Sequence, residues 1–143
     1  MLGELRDQAR AAGADDALLV TPTGELLESG TAGLIWWADD HLCVPDPALP
    51  VLPSVTARLI RAAAERQGVA VLPRAARLAD LDGRETWLVN ALHGVRPVTA
   101  WVGAAVTPGP ADRAPGWRRW WAELLCQAHP IGPSQGNGYR SAQ

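Results

Sequence analysis

A proline-rich segment in the first half of the chain separates two kinds of sequence pattern. Residues 45–54, PDPALPVLPS, contain four prolines in ten positions. Proline has no backbone N–H and cannot occupy the interior of a helix. This stretch therefore predicts an ordered connection or an exposed loop, with short strands before it and a helix after it.

The region before the prolines predicts one helix and two β-hairpins. Alanine and leucine favour a helix over residues 1–12, and Gly13 stands where a helix C-terminal glycine is common. The turn TPTG and the Asp39–Asp40 pair each separate two runs rich in β-favouring residues. The predicted strands cover 16–20, 25–28, 33–38 and 41–44.

The region after the prolines alternates helices with strands. Ser54 or Thr56 can cap a helix over residues 57–68, in which Leu59, Ile60, Ala63 and Ala64 share one face. A last helix over 112–128 carries Trp117, Trp120, Trp121, Leu124 and Leu125 at helical spacing. Predicted strands cover 69–73, 86–92 and 95–103, with a helical turn over 77–83. An α+β (mixed α/β) fold follows.

Length and charge limit the classes of function. At 143 residues the chain has the length of one domain, and its net charge of −2 leaves no basic face for a phosphate backbone. We therefore expect no nucleic-acid partner. The charged N-terminus and the lack of a long apolar run predict no membrane partner and a cytoplasmic location.

Cysteine, histidine and tryptophan supply no strong site signal. Cys43 and Cys126 lack neighbours at metal-ligand spacing, so we expect no metal, and predict both to be small buried residues. His41, His93 and His129 predict surface or structural roles. The seven tryptophans predict core and interface packing.

Lysine is absent, since all 13 basic residues are arginine. The chain therefore cannot supply a lysine amine to any reaction.

Three stretches are candidate sites, and each has a simpler reading. Glu28 precedes the small residues SGTAG and is either a ligand-facing carboxylate or a solvent-facing strand end. PSVTAR, residues 53–58, offers free N–H groups that suit a phosphate, although capping explains it equally well. VNALHGVRPV, residues 89–98, suits a ligand-facing loop or an ordinary hairpin.

Taken in order, four motifs resemble the C-terminal domain of the class IV aminotransferases, the fold type IV pyridoxal-phosphate enzymes. The motifs are GADDALLVTPTGELLESGTAGLIWW, VLPSVTARLI, RQGVAVLPR and ETWLVNALHGVRPV. The last of them is closest to the 4-amino-4-deoxychorismate lyase branch, with branched-chain and D-amino acid aminotransferases as alternatives. Gly33 stands where many members of the family carry asparagine, and Ala57 where many carry arginine.

The resemblance implies a pyridoxal 5'-phosphate site. Glu28 matches the glutamate that hydrogen-bonds the pyridine nitrogen. The backbone N–H groups of Val55 and Thr56 match those that hold the cofactor phosphate, and Asn90 and Ala91 match the second loop on the phosphate side.

The same resemblance implies that a part of the enzyme is missing. The family's covalent cofactor lysine lies just upstream of the segment that matches residues 1–12, and an N-terminal domain supplies part of the substrate pocket. We therefore expect residues 1–126 to form the cofactor-face domain, residues 127–143 to be a disordered tail, and the chain alone to be inactive, with no catalytic residue of its own. The partner would be a missing N-terminal half or a second copy, and the substrate a small amino acid or chorismate derivative. The alternative is a non-catalytic interaction module on the same fold.

Overall fold

The computed structural model describes residues 2–127. Its α-helices are α1 (Leu2–Ala11), α2 (Val55–Arg66) and α3 (Ala114–Gln127), and a 3-10 turn covers Leu78–Leu81. The strands are β1 (Leu18–Val20), β2 (Leu26–Ser29), β3 (Gly33–Ala38), β4 (His41–Pro45), β5 (Val71–Arg74), β6 (Thr86–Asn90) and β7 (Gly94–Pro97). The predicted α+β class is confirmed. Residues 128–143 of the predicted tail lie outside the described residues, and Gln127 is the last residue of α3.

One seven-stranded sheet organises the fold. The strands run in the order β1-β2-β3-β4-β5, and β6 pairs with β3 and β7. The pairs are antiparallel except β4 with β5, which are parallel. Parallel neighbours need a crossover, and the proline-rich segment together with α2 provides it. The same connection brings the start of α2 onto one face of the sheet.

The two faces of the sheet bury separate cores, because side chains alternate along each strand. In β3, Ile35 and Trp37 pack with α2 and α3, whereas Leu34 and Trp36 pack on the opposite side. That opposite side also holds Leu26, Cys43, Ala76 and Leu81. The face that α2 covers buries Trp37, Trp87 and Trp117, and Trp120 packs against them. The packing role predicted for the α3 tryptophans is confirmed for Trp117 and Trp120.

A buried carboxylate attaches α3 to the sheet. Glu85, only 4% exposed, accepts hydrogen bonds from the N–H groups of Arg113 and Ala114 and from Trp87 Nε1, the last at 3.0 Å. The backbone N–H groups of Arg113 and Ala114 lie at the start of α3, where the helix itself offers them no acceptor. Glu85 thus caps a helix that lies far along the chain.

The structure corrects several local predictions. The strand expected over 86–92 ends at Asn90 because residues 91–93 form the turn into β7, and β7 ends at Pro97 rather than 103. Cys126, expected to be buried, is exposed, because it lies on the outer side of α3. Leu59 and Leu125 are 39% and 54% exposed, so each lies at the edge of its apolar helix face.

Within residues 2–127, no helix combines the length and apolar character needed to cross a membrane. The same part of the chain contains no group of three or more histidine, cysteine or acidic side chains placed to hold a metal ion.

Candidate functional site

The sequence-predicted site residues meet at one end of the sheet, and Gly33 lies at the centre of that end. Gly33 pairs with Glu28 of β2 on one side and with Val89 of β6 on the other. The start of α2 lies above it. The register of these three strands thus places Glu28, the N-terminus of α2 and the end of β6 side by side.

Gly33 allows α2 to approach the sheet closely. A Cβ atom at this position would lie 3.3 Å from both Cβ and Oγ of Ser54, and 3.5 Å from Cγ2 of Val89. At 3.3 Å the Ser54 atoms would have to move by a few tenths of an ångström, whereas 3.5 Å is an ordinary contact. The missing side chain therefore lets the first turn of α2 rest against the backbone of β3.

The N-terminus of α2 presents two backbone donors. Ser54 caps the helix, and its Oγ accepts the N–H of Ala57 at 3.1 Å. The N–H groups of Val55 and Thr56 find no acceptor among residues 2–127. Val55 is 65% exposed and Thr56 is buried, so the shared property of these two residues is the backbone donor and not the side chain. Two free N–H groups at a helix N-terminus suit an anion.

Glu28 faces the same region. Its Oε1 accepts the backbone N–H of Leu52 at 3.2 Å, which ties the end of β2 to the segment before α2. Among the described residues, Oε2 accepts no hydrogen bond. The side chain is half-buried, so Glu28 is not merely a solvent-facing strand end.

Asn90 shapes the turn between β6 and β7. Its Nδ2 donates to the carbonyl oxygen of Thr31 at 3.3 Å, and its Oδ1 accepts the N–H of His93 at 2.7 Å. The N–H of Ala91, between these groups, has no acceptor within residues 2–127. The segment is therefore an ordinary hairpin that also presents a free donor at this end of the sheet.

Sequence reasoning missed the residues behind the turn at 29–32. The Oγ of Ser29 accepts the N–H groups of Thr31 and Ala32 at 3.2 and 2.9 Å. The Thr31 hydroxyl donates to Asp16 Oδ2 at 2.6 Å, and the N–H of Ala17 donates to Oδ1 at 2.8 Å. The only sequence signal was the number of small polar residues in SGTAG, which predicts a turn without its partner.

Asp16 is charged in this setting. Burial raises the pKa of Asp16, but hydrogen bonds from Thr31, Ser29 and the Ala17 N–H, together with the charge on Arg96, outweigh burial and hold the pKa below the ordinary 3.8. A carboxylate with two strong donors and a nearby guanidinium therefore stays ionised at neutral pH.

The two described histidines take no part in the site. His41 and His93 are exposed, and only the backbone N–H of His93 contributes a contact. His129 lies outside the described residues. The predicted surface roles of His41 and His93 agree with their exposure.

The residues present fit pyridoxal phosphate chemically. Backbone N–H groups of Val55, Thr56 and Ala91 suit a phosphate group, and the Glu28 carboxylate suits a protonated ring nitrogen. Gly33, where the first turn of α2 approaches β3 closely, lies between these two sets of groups. The arrangement can thus bind an anion at one end of a flat molecule and a cationic N–H at the other.

Solved structures with the same fold come from several aminotransferases. A hypothetical aminotransferase from Mycobacterium tuberculosis with bound α-ketoglutarate and PMP is 23% identical, with a TM-score of 0.77, over 87% of this chain and 44% of that one. A protein from Legionella pneumophila, assigned as a candidate 4-amino-4-deoxychorismate lyase, is 21% identical, with a TM-score of 0.74, over 88% of this chain and 46% of that one. A branched-chain aminotransferase from Thermoproteus uzoniensis is 17% identical, with a TM-score of 0.77, over 87% of this chain and 41% of that one.

The chain spans less than half the length of each of these three proteins. A comparison with curated protein sequences finds no match. The family model for amino-transferase class IV matches residues 4–101, which include every site residue named above. The chain belongs to the amino-transferase class IV family.

Proposed function

We propose that residues 1–126 form the cofactor-face domain of a pyridoxal-phosphate enzyme, with Glu28, Val55, Thr56, Asn90 and Ala91 as the cofactor-binding residues. The observation that carries this proposal is the meeting, around Gly33, of the Glu28 carboxylate and three backbone N–H groups that have no acceptor among residues 2–127. The relative from Mycobacterium tuberculosis has PMP, a form of this cofactor, bound.

In this proposal each residue either binds the cofactor or orients a group that binds it. The N–H groups of Val55, Thr56 and Ala91 hold the phosphate, Asn90 holds the Ala91 turn in place, and Glu28 keeps the ring nitrogen protonated. When bound, the cofactor supplies an electron-accepting ring that stabilises negative charge on a substrate carbon.

The absence of lysine limits what this chain does by itself. Without a lysine side chain it can neither form the family's covalent link to the cofactor nor move the substrate proton as lysine does. We therefore propose that the chain is inactive alone, and that a lysine from a further segment or a partner completes the site. A missing N-terminal half or a second copy would also close the substrate pocket.

The reaction we favour is the lyase reaction that converts 4-amino-4-deoxychorismate to 4-aminobenzoate and pyruvate. Its support is the VNALHGVRPV segment, whose Asn90 and Ala91 begin the turn after β6. Transamination of branched-chain or D-amino acids is the alternative chemistry of the same site.

A non-catalytic interaction module is a second candidate. Leu52, Val55 and Leu92 are 67%, 65% and 83% exposed, and they flank the site. Exposed apolar side chains that lie close together are typical of a surface that a partner covers.

A cofactor titration tests the proposal. We expect pyridoxal phosphate to bind saturably and reversibly to the full chain, as measured by quenching of tryptophan fluorescence. Borohydride treatment followed by mass spectrometry should detect no reduced adduct on any side chain. Inorganic phosphate should compete with the cofactor, because both use the same N–H groups. Failure of millimolar pyridoxal phosphate to bind would reject the cofactor role and favour the interaction module.

A further inference from the structure

A path of hydrogen bonds begins before β1 and ends at the turn after β6. The proposed cofactor contacts do not account for it. It joins Asp16, Thr31 and Asn90. These three residues are distant along the chain, so the path exists only in the folded protein.

The first contact of the path fixes the turn between β2 and β3. The Thr31 hydroxyl donates to Asp16 Oδ2 at 2.6 Å, and the Ala17 N–H at 2.8 Å holds the other carboxylate oxygen. Because Thr31 is exposed, its hydroxyl would otherwise rotate freely in water. A hydrogen bond to a charged acceptor is stronger than a neutral one, so the carboxylate selects one orientation.

The backbone holds the same turn from the same side. The N–H of Gly30 donates to the carbonyl oxygen of Ala17 at 3.2 Å, and Leu18 pairs with Ser29. A Cβ atom on Gly30 would lie 3.3 Å from Asp16 Oδ1, so the turn packs directly against the carboxylate. The turn therefore has little room to shift while Asp16 stays in place.

The second contact connects the turn at 29–32 to the turn after β6, where the Ala91 N–H is proposed to bind phosphate. The Thr31 carbonyl oxygen accepts Asn90 Nδ2 at 3.3 Å, and Asn90 Oδ1 accepts the His93 N–H at 2.7 Å. The amide of Asn90 is planar, so fixing its Nδ2 also fixes the direction of its Oδ1. The orientation of the 90–93 turn, and of the Ala91 N–H within it, depends in this way on Thr31.

We propose that Asp16 is a positioning residue of the site: through the Thr31 hydroxyl it holds the turn at 29–32, and through the Thr31 carbonyl it orients Asn90 and the Ala91 N–H. This role rests on the proposed function only where it assigns the Ala91 N–H to a phosphate. The Asp16 carboxylate itself touches no ligand.

The test uses four variants of the full, ¹⁵N-labelled chain. D16N removes the charge and T31V removes the hydroxyl, whereas T31S keeps the hydroxyl and D15N changes an exposed neighbouring carboxylate. The readout is amide hydrogen exchange at His93, compared with the Trp37 N–H, which bonds to Glu85 in the core.

We expect D16N and T31V to speed exchange at His93 about fivefold, the loss typical of one hydrogen bond, and to change exchange at Trp37 much less. T31S and D15N should match the unmodified chain. Unchanged exchange at His93 in both D16N and T31V, or exchange in T31S as fast as in T31V, would overturn the proposal.

Inorganic phosphate provides the second readout. In the unmodified chain it should shift the amide signals of Val55, Thr56 and Ala91, and T31V should weaken the response of Ala91 about fivefold with little change at the other two. An equal loss at all three amides would contradict the positioning role. If no amide of the unmodified chain responds, the proposed cofactor site fails, while exchange at His93 still decides whether Asp16 and Thr31 orient Asn90.

Discussion

At the scale of single residues, the site depends on one carboxylate and one missing side chain. One carboxylate oxygen of Glu28 accepts a hydrogen bond from the Leu52 N–H, and the other has no partner among the described residues. Gly33 allows Ser54 to approach β3 so closely that a Cβ atom there would lie 3.3 Å from its Cβ and Oγ. Each feature supports a prediction.

Replacing Glu28 with glutamine should weaken pyridoxal phosphate binding about tenfold, because a neutral amide cannot favour a protonated ring nitrogen as a carboxylate does. Fluorescence titration of the two proteins measures the change. Glu65→Gln, an exposed change on α2, is the matched control and should leave the dissociation constant as it was. Equal affinities for E28Q and the unmodified chain would show that Glu28 does not contact the cofactor ring.

Replacing Gly33 with alanine should destabilise the fold by about 1–3 kcal/mol, the usual effect of overpacking, and should weaken phosphate binding by moving the start of α2. Urea unfolding measures the first effect and phosphate titration the second. Gly3→Ala is the control, because a Cβ at Gly3 meets nothing within 4 Å. It should stabilise α1 by about 0.5–1 kcal/mol. A G33A protein as stable as the unmodified chain would show that Ser54 can move aside.

At the scale of elements, the attachment of α3 shows how one buried carboxylate organises a helix. Glu85 receives the first N–H groups of α3, and Arg113 beside it stacks its guanidinium 4.6 Å from the centre of the Trp37 ring. The helix then packs on the same face of the sheet as α2 through Trp117 and Trp120.

Replacing Glu85 with alanine should reduce the free energy of unfolding by about 3–5 kcal/mol, because it leaves two backbone N–H groups and Trp87 Nε1 without their acceptor in a buried place. Urea unfolding followed by tryptophan fluorescence gives the value. Glu123→Ala, an exposed change on the same helix, should alter stability by less than about 0.5 kcal/mol. Similar losses of unfolding free energy in the two variants would contradict the capping role of Glu85.

At the scale of the whole molecule, Asp16 links folding to pH. The pKa of Asp16 in the folded chain lies below its ordinary value of 3.8, owing to the donors of Thr31, Ser29 and Ala17 and the charge on Arg96. The folded state therefore binds this proton less readily than the unfolded state does. Its contribution to stability is complete above about pH 5 and falls as the pH drops through 3.8 towards the folded pKa.

Asp16→Asn should accordingly flatten the pH dependence of stability below about pH 5, and leave the other carboxylates to account for what remains. Urea unfolding between neutral pH and the acid limit of folding provides the slope. Asp15→Asn is the control and should keep the slope of the unmodified chain. A D16N slope equal to that of D15N would mean that Asp16 is not differently protonated in the two states.

Local patterns in the sequence predicted most elements, because helix and strand periods, caps and breakers act over a few residues. The strand over 33–38 and the Ser54 cap agree with the structure. The order of the motifs indicated the class IV aminotransferase family, which the match to the family model over residues 4–101 confirms. The lack of lysine is likewise a property of the sequence alone.

Only the tertiary structure decided which distant groups meet. The order of the strands, the position of Gly33 between Glu28 and Val89, and the bond from Thr31 to Asn90 depend on how the sheet folds over its crossover. Cys126 lies on the exposed side of α3 although its residue type favours burial. Long-range packing selects these contacts, and no pattern of neighbouring residues encodes them separately. For this reason the sequence suggested candidate residues such as Glu28 and Asn90, but not the carboxylate of Asp16 behind the turn at 29–32.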